Sequence, residues 1–353
     1  MKPTQSTPLL KPDFPSFRVH LLAWYDAHAR NLPWRQHPGK QRPGKNKHRN
    51  PYHVWLSEIM LQQTRVAAVI EHYRKFLQRF PTVAKLASAR ESSVLAAWSG
   101  LGYYRRARMM HAAAKVVVRE RCGKFPETSE SWRELPGIGR YTAAAIASIA
   151  FGEAVAVVDG NVERVLQRFL GQPLAGEELW RAADELLDRE RPGDFNQAMM
   201  ELGATVCTPR TPACVMCPVV ELCATRGELA GKAKAAKQKK REIHYALHFR
   251  SIGSGGSSGP DDEVFLVQRP RNASLMAGMW ELPEILHPGN HAQPAFTVRH
   301  SITVTDYTVG VWRIDAQESS EQSSGEWIAK ERLPKVALTG LARKILRRTA
   351  VLP

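Results

Sequence analysis

Leu135-Pro136-Gly137-Ile138-Gly139-Arg140-Tyr141 stands directly before an alanine-rich, helix-forming run, Tyr141–Ala150. A Pro-Gly-x-Gly turn lets the chain reverse at positive φ and leaves backbone N–H groups unpaired at a helix N-terminus. The helix dipole favours an anion there, such as a DNA phosphate. Alone, the turn is equally an ordinary helix–helix connection. Outward from it, apolar residues recur at helical spacing in 17–29, 54–80, 92–97, 107–118, 162–170, 179–187 and 195–202. Pro33, Pro81, Gly100-Leu101-Gly102, Pro126, Gly171 and Pro192-Gly193 punctuate these runs. Residues 13–225 therefore predict an all-α region of short helices. Residues 226–241 are rich in Lys and Ala and read as a basic interdomain linker. Strand-like alternation follows in 243–250, 264–268, 296–304 and 308–314, with a Gly/Ser-rich loop at 251–259 and a last helix over 338–348. Residues 242–353 thus predict a small α+β domain, making the chain multidomain, α and α+β.

The 353 residues suffice for two cores, and 43 % apolar residues exclude a wholly disordered chain. No apolar segment follows Met1-Lys2-Pro3, and the longest apolar stretch, Ala143–Val158, is interrupted by Gly152 and Glu153. The expectation is a cytoplasmic protein with no signal peptide or membrane span, working as a monomer on nucleoid DNA. Lys plus Arg number 50 against 34 Asp plus Glu, a net charge of +16. A polyanion is the natural partner of such a chain, although charge also serves solubility. Residues 27–57 contain no acid but hold Arg30, Arg35, Lys40, Arg42, Lys45, Lys47 and Arg49, and a second basic run covers Lys232–Arg241. Two separated stripes suit a clamp on double-stranded DNA.

Cys207, Cys214, Cys217 and Cys223 form C-x6-C-x2-C-x5-C. Thiolates hold soft metals. Structural zinc favours two close pairs, whereas one close pair with longer, proline-stiffened arms suits a 4Fe–4S cube reached from several sides. Zinc is the alternative, and disulfides suit a cytosolic chain poorly. Arg210, between the first two cysteines, could meet a phosphate.

Two carboxylates could carry chemistry. Glu58 lies in Val54-Trp55-Leu56-Ser57-Glu58-Ile59-Met60-Leu61, where its helical neighbours are mostly apolar. Such surroundings raise a carboxyl pKa and suit a general acid, although a Glu reaching solvent at a groove edge is an equal reading. Asp159 follows an apolar run and precedes a helix, the usual place of a cap. Facing one another, the two could flank a glycosidic bond, one donating a proton and one stabilising an oxocarbenium ion.

These stretches resemble the MutY-type adenine DNA glycosylases of the helix-hairpin-helix superfamily. The likeness runs through Leu32-Pro33-Trp34-Arg35, Val54–Thr64, Gly100-Leu101-Gly102-Tyr103-Tyr104, the hairpin, Val158–Val162, Asn196–Gly203 and the four cysteines. It implies a six-helix subdomain over about 35–155, an iron–sulfur subdomain from 13–34 and 156–225, and a 4Fe–4S cofactor. It also implies excision of adenine mispaired with 8-oxoguanine or guanine, the adenine flipped from the stack into a pocket. By position, Glu58 protonates adenine N7. Asp159 supports the sugar cation through a transient covalent bond, and Tyr141 and Asn161 orient both. Glu201, Leu61 and Arg35 hold the base, Gln63 and Tyr103 wedge into the stack, and Gly137 and Gly139 meet phosphate. Endonuclease III-like enzymes carry a Schiff-base lysine where Tyr141 stands, so a mainly monofunctional glycosylase is expected. Thymine–guanine mismatch glycosylases share that tyrosine but lack a counterpart of Glu58. A non-catalytic iron–sulfur DNA-binding protein is a further alternative.

Residues 242–353 resemble a Nudix (MutT-like) domain through Gln268-Arg269-Pro270 and Gly278-Met279-Trp280-Glu281-Leu282-Pro283, without the acidic Nudix helix. The implied role is reading 8-oxoguanine rather than hydrolysing nucleotides. The family's Phe-Ser-His recognition loop is expected near Val298-Arg299-His300, so Arg299, His300 and Ser301 are the candidate residues for meeting the lesion. His37–His48 is a basic insertion relative to the family, and its charge points to added phosphate binding. Deleting it should lower the slope of log affinity against log salt by about 0.9 for each phosphate that the segment neutralises. An unchanged slope rejects that role.

Overall fold

The computed structural model describes residues 13–35, 49–226, 239–250, 263–273, 275–285, 293–302, 305–314 and 325–352. The 37–48 insertion, the 251–259 loop and linker residues 227–238 lie outside them. In chain order the helices are α1 (Phe14–His28), α2 (Pro51–Leu61), α3 (Val66–Arg79), α4 (Val83–Ala87), α5 (Glu91–Trp98), α6 (Arg105–Glu120), α7 (Ser129–Arg133), α8 (Arg140–Ile146), α9 (Gly160–Leu170), α10 (Gly176–Leu186), α11 (Pro192–Thr205) and α12 (Gly340–Arg348). None is long and apolar enough to cross a membrane. The chain divides into one unit of Met1–Arg74 with Ala113–Ala233 and another of Lys75–Ala112 with Lys234–Pro353. The segment 75–112 therefore shares its unit with the C-terminal sheets, a different partition from 13–225 and 242–353.

Local chemistry sets the helix starts in the first unit. The Asp13 carboxylate accepts from Ser16 N at 3.0 Å, and Asn50 Oδ1 accepts from Tyr52 N at 2.9 Å with Pro51 at the first helical position. The periodic run 54–80 predicts a single helix, but the structure breaks it between α2 and α3. Gln63 takes φ +54 in that break, and Gln62 Nε2 donates to Thr142 Oγ1 at 3.1 Å, so a tertiary bond overrides the local period. The short helices α4 and α7 escape periodicity altogether.

Helix α11 packs against α1, α9 and a π-helical turn, Ala147–Phe151, that continues α8. Buried Asn196 of α11 fixes the extended stretch leading to Asp159. Its Nδ2 donates to Ser148 Oγ and Val155 O, both at 2.9 Å, and its Oδ1 accepts from Val157 N at 3.2 Å. Further along α11, Gly203 lies against the start of α9, where a Cβ would stand 2.6 Å from Asn161 Cβ.

In the second unit, β1 (Lys239–Leu247), β2 (Phe249–Arg250), β3 (Glu263–Gln268), β4 (Trp280–Glu281), β5 (Glu284–Ile285), β6 (Phe296–Ile302), β7 (Thr305–Arg313) and β8 (Gly325–Ala329) form two four-stranded sheets. One is ordered β5-β1-β7-β6 with β1 and β7 parallel; in the other β3 pairs with β2, β4 and β8. Val264, Leu266, Val309, Val311, Leu338, Ile345 and Leu346 are among the core residues between sheets and α12. Two sequence boundaries shift. Lys239–Arg241, assigned to the linker, already pair with Thr305–Tyr307, and Leu338 precedes the last helix, whose start Thr339 caps. Val298-Arg299-His300 lie within β6, as the alternation over 296–304 predicts, and not in the loop that the resemblance implies; Val298 is a buried strand residue paired with Val309.

Gly203→Ala should destabilise the fold by about 1–3 kcal/mol, the usual scale of overpacking, as read in urea unfolding. Wild-type stability would show that α9 and α11 can separate freely.

Candidate active site

The C-terminal half of α2 is buried from Val54 to Met60, and Glu58 is among these residues, at 7 % exposure. Tyr141 of α8 donates its hydroxyl to Glu58 Oε2 at 2.7 Å and lies 3.3 Å from Met200 Sδ of α11. Burial is the largest influence on Glu58. The charge of Asp159 adds to it, Tyr141 and Arg35 oppose it, and the carboxyl is pushed up to about 7. The Tyr141 hydroxyl is raised as well, by burial and by the two acids, so it stays a proton donor.

Asp159 caps α9. Its Oδ1 accepts from Asn161 N at 2.9 Å and Val162 N at 2.8 Å, and its Oδ2 accepts from Asn161 Nδ2 at 2.9 Å. The cap and catalytic readings are therefore compatible, since capping fixes the carboxylate at the positive end of the helix. Arg164, a residue that sequence reasoning missed, locks this turn. Its guanidinium donates to Asn161 Oδ1 at 2.8 Å, Gly203 O at 2.7 Å and Cys207 O at 2.8 Å. An arginine on an amphipathic helix gives no sequence signal of such a role.

Glu201 of α11 is 1 % exposed and fully engaged. Arg30 donates from Nε at 2.5 Å and Nη2 at 2.8 Å, Arg35 Nη2 at 3.0 Å, and Arg30 N at 3.2 Å. Burial alone would raise this carboxyl, but the two arginines outweigh it and hold it below its usual range. Arg30 was missed as a partner. The acid-free run around it was the available signal. Arg35 also lies over the Tyr25 ring at 5.5 Å. Leu61 ends α2 one turn beyond Glu58, on the same face.

The other candidates are placed as follows. Gly137 adopts φ +77 in the hairpin, and Gly139 caps α8 in extended conformation. Gln63 is exposed at the α2–α3 break, and Arg210 is exposed in the cysteine loop. Tyr103 belongs to the second unit, at φ +47 and 46 % exposure. Arg299 O accepts from Lys344 Nζ at 2.7 Å, His300 packs toward Gly340, and Ser301 Oγ donates to Asp306 Oδ1 at 2.5 Å.

The four cysteines are half-buried. Burial is the largest influence pushing the Cys217 thiol up to about 11, and the charges of Cys207, Cys223 and Cys214 add to it. Arg168 Nη1 donates to Cys207 Sγ at 3.3 Å. No three His, Cys, Asp or Glu side chains among the described residues are placed to hold a metal ion. By chemistry rather than placement, four thiols with a cation on the Cys207 sulfur are a donor set suited to a soft, thiolate-bound metal group.

The family model of HhH-GPD superfamily base excision DNA repair proteins matches residues 56–183, a span that includes Glu58, the hairpin, Asp159 and Asn161. The human protein named adenine DNA glycosylase is 41 % identical over 321 residues, 76 % of this chain and 57 % of that protein. The mouse protein of the same name is 36 % identical over 408 residues, 95 % of this chain and 78 % of that protein. The chain thus spans little more than half the length of its human relative. Among solved structures, a thermostable thymine-DNA glycosylase superposes with a TM-score of 0.54 at 29 % identity, covering 60 % of this chain and 96 % of that one. The helical core and the mouse relative's coverage agree: the chain belongs to the adenine DNA glycosylase family of helix-hairpin-helix base excision repair proteins.

Proposed function

We propose that the protein hydrolyses the N-glycosidic bond of adenine mispaired with 8-oxoguanine or guanine in double-stranded DNA, as a mainly monofunctional glycosylase, with little or no lyase activity, in base excision repair. The observation that carries this reading is a buried Glu58 carboxyl under the Tyr141 hydroxyl, together with an Asp159 carboxylate fixed at the α9 N-terminus. Glu58 gives its proton to N7 of the flipped adenine. The C–N bond breaks with its electron pair leaving on the neutral base, and the sugar becomes an oxocarbenium ion. Asp159, held by Asn161 and the α9 N-terminus, supports that cation until water adds to the sugar and releases its proton. Tyr141 orients Glu58, and Glu201 with Arg35 lines the base-binding side, Glu201 accepting from the exocyclic amine of the base in place of one of its arginine donors. Leu61 packs against the base.

Gly137, Gly139 and Arg210 hold phosphates, and Gln63 enters the stack left by the base; Tyr103, on the second unit, is likewise a wedge into the duplex. Residues 13–225 form the catalytic region and 242–353 the lesion reader, with Arg299, His300 and Ser301 on its β6 strand. Cys207, Cys214, Cys217 and Cys223 would hold a 4Fe–4S cluster. When bound it supplies a compact iron centre that ties the 207–223 loop together. One chain carries every proposed group, so a monomer suffices.

Glu58→Gln should lower single-turnover adenine release by at least a factor of about 100 while retaining mispair binding. Release at the wild-type rate would remove Glu58 from the chemistry. In the wild type the rate should decline as pH rises through about 7, because the acid form of Glu58 is lost there; a flat profile from about pH 6 to 9 contradicts the assignment. Borohydride should trap no protein–DNA adduct, since Tyr141 stands at the Schiff-base position. Efficient trapping overturns the monofunctional reading.

A further inference from the structure

The loop between α5 and α6 presents Tyr103 half-exposed at φ +47, a backbone conformation that an aromatic residue adopts only when its neighbours impose it. One side of the restraint lies within the loop. Trp98 Nε1 donates to Gly102 O at 3.2 Å, Arg106 Nη2 donates to Leu101 O at 3.1 Å, and the Arg106 guanidinium lies 5.4 Å from the centre of the Tyr103 ring. The other side comes from far along the chain. Tyr104 OH donates to Leu338 O at 3.1 Å, and Ser99 Oγ donates to the same carbonyl at 3.0 Å. Arg343 Nε of α12 then donates to Ser99 Oγ at 2.8 Å. Ser99, Tyr104 and Leu338 are all buried. Leu338 is itself fixed to the sheet by its bridge to Trp280, flanked by Trp280 N→Ala337 O and Thr339 N→Trp280 O, both at 2.9 Å.

Apolar packing would hold these segments together without setting their angle. Directional hydrogen bonds converging on one carbonyl set it. We propose that Ser99, Tyr104 and Arg343 are positioning residues through which segment 338–343 fixes how the Tyr103 ring is presented to the duplex. This rests on the reading of Tyr103 as the wedge. It gives the C-terminal region a part in opening the stack that is separate from binding the oxidised base.

The test uses full-length protein and a duplex carrying 2-aminopurine beside the 8-oxoguanine, whose fluorescence rises on unstacking. Tyr104→Phe and Arg343→Met should each lose at least half of the wild-type rise. They should also increase the enzyme concentration giving the half-maximal single-turnover rate about tenfold. The pH midpoint of that rate, set at Glu58, should stay in place, and circular dichroism should match the wild type. Ser99→Ala carries the same expectation and decides the matter if Arg343→Met does not fold. Tyr103→Ala is the reference. If it abolishes the rise while the foldable joint variants keep it in full, the positioning role is overturned and the wedge stands. If Tyr103→Ala itself keeps the rise, the wedge reading fails and the positioning role falls with it.

Discussion

A carboxyl group kept from water, with a tyrosine hydroxyl on one oxygen, is the constraint on which the rest of the first unit depends. Moving Glu58 from its ordinary 4.5 to about 7 corresponds to roughly 3 kcal/mol of penalty on its ionised form. The apolar face of α2 imposes that penalty, and the Asp159 charge increases it. The hydrogen bond from Tyr141 works the other way and limits the shift to a range where the proton is still transferable. A fully apolar pocket would hold the proton too firmly for an acid catalyst, and a solvated one would lose it before neutral pH.

The contrast with Glu201 shows that environment, not residue type, assigns the roles. Both glutamates are buried. Glu58 meets a neutral donor and a neighbouring negative charge, whereas Glu201 meets two guanidinium groups and is held ionised. Two carboxylates pushed in opposite directions are the usual mark of a site that divides acid and anion duties. Their scaffold is α11, which carries Met200 against Tyr141, Glu201 against the arginines, Asn196 behind the 155–157 backbone and Gly203 against Asn161. A single helix therefore braces Tyr141, the two arginines, the stretch before Asp159 and Asn161.

Much of this was legible in the chain. The helical periods of 13–225 and the α+β character of the C-terminal part could be read from spacing, because they depend on local pattern; for Glu58 and Asp159, spacing left the groove-edge and cap readings open beside the catalytic one. What spacing could not supply were the partners brought in by tertiary folding. Arg30 and Arg164 carry no periodic signal, and Gln62 breaks a periodic run only because Thr142 waits on α8. Alternation over 296–304 already marks residues 299–301 as strand, and pairing with β7 agrees; it is the resemblance that implies a loop there. The grouping of 75–112 with the C-terminal sheets lies equally beyond local pattern, since Leu338 O meets Ser99 and Tyr104 from a distant part of the sequence.

The ionisation of Glu58 in the intact protein tests this account most directly. Infrared difference spectroscopy across pH, with the Glu58 band assigned by its loss in Glu58→Gln, follows the protonated carboxyl stretch itself. A buried-carboxyl band that titrates near pH 7 is the predicted result. A Glu58 that is already ionised at about pH 5, near the ordinary carboxylate range, would contradict it.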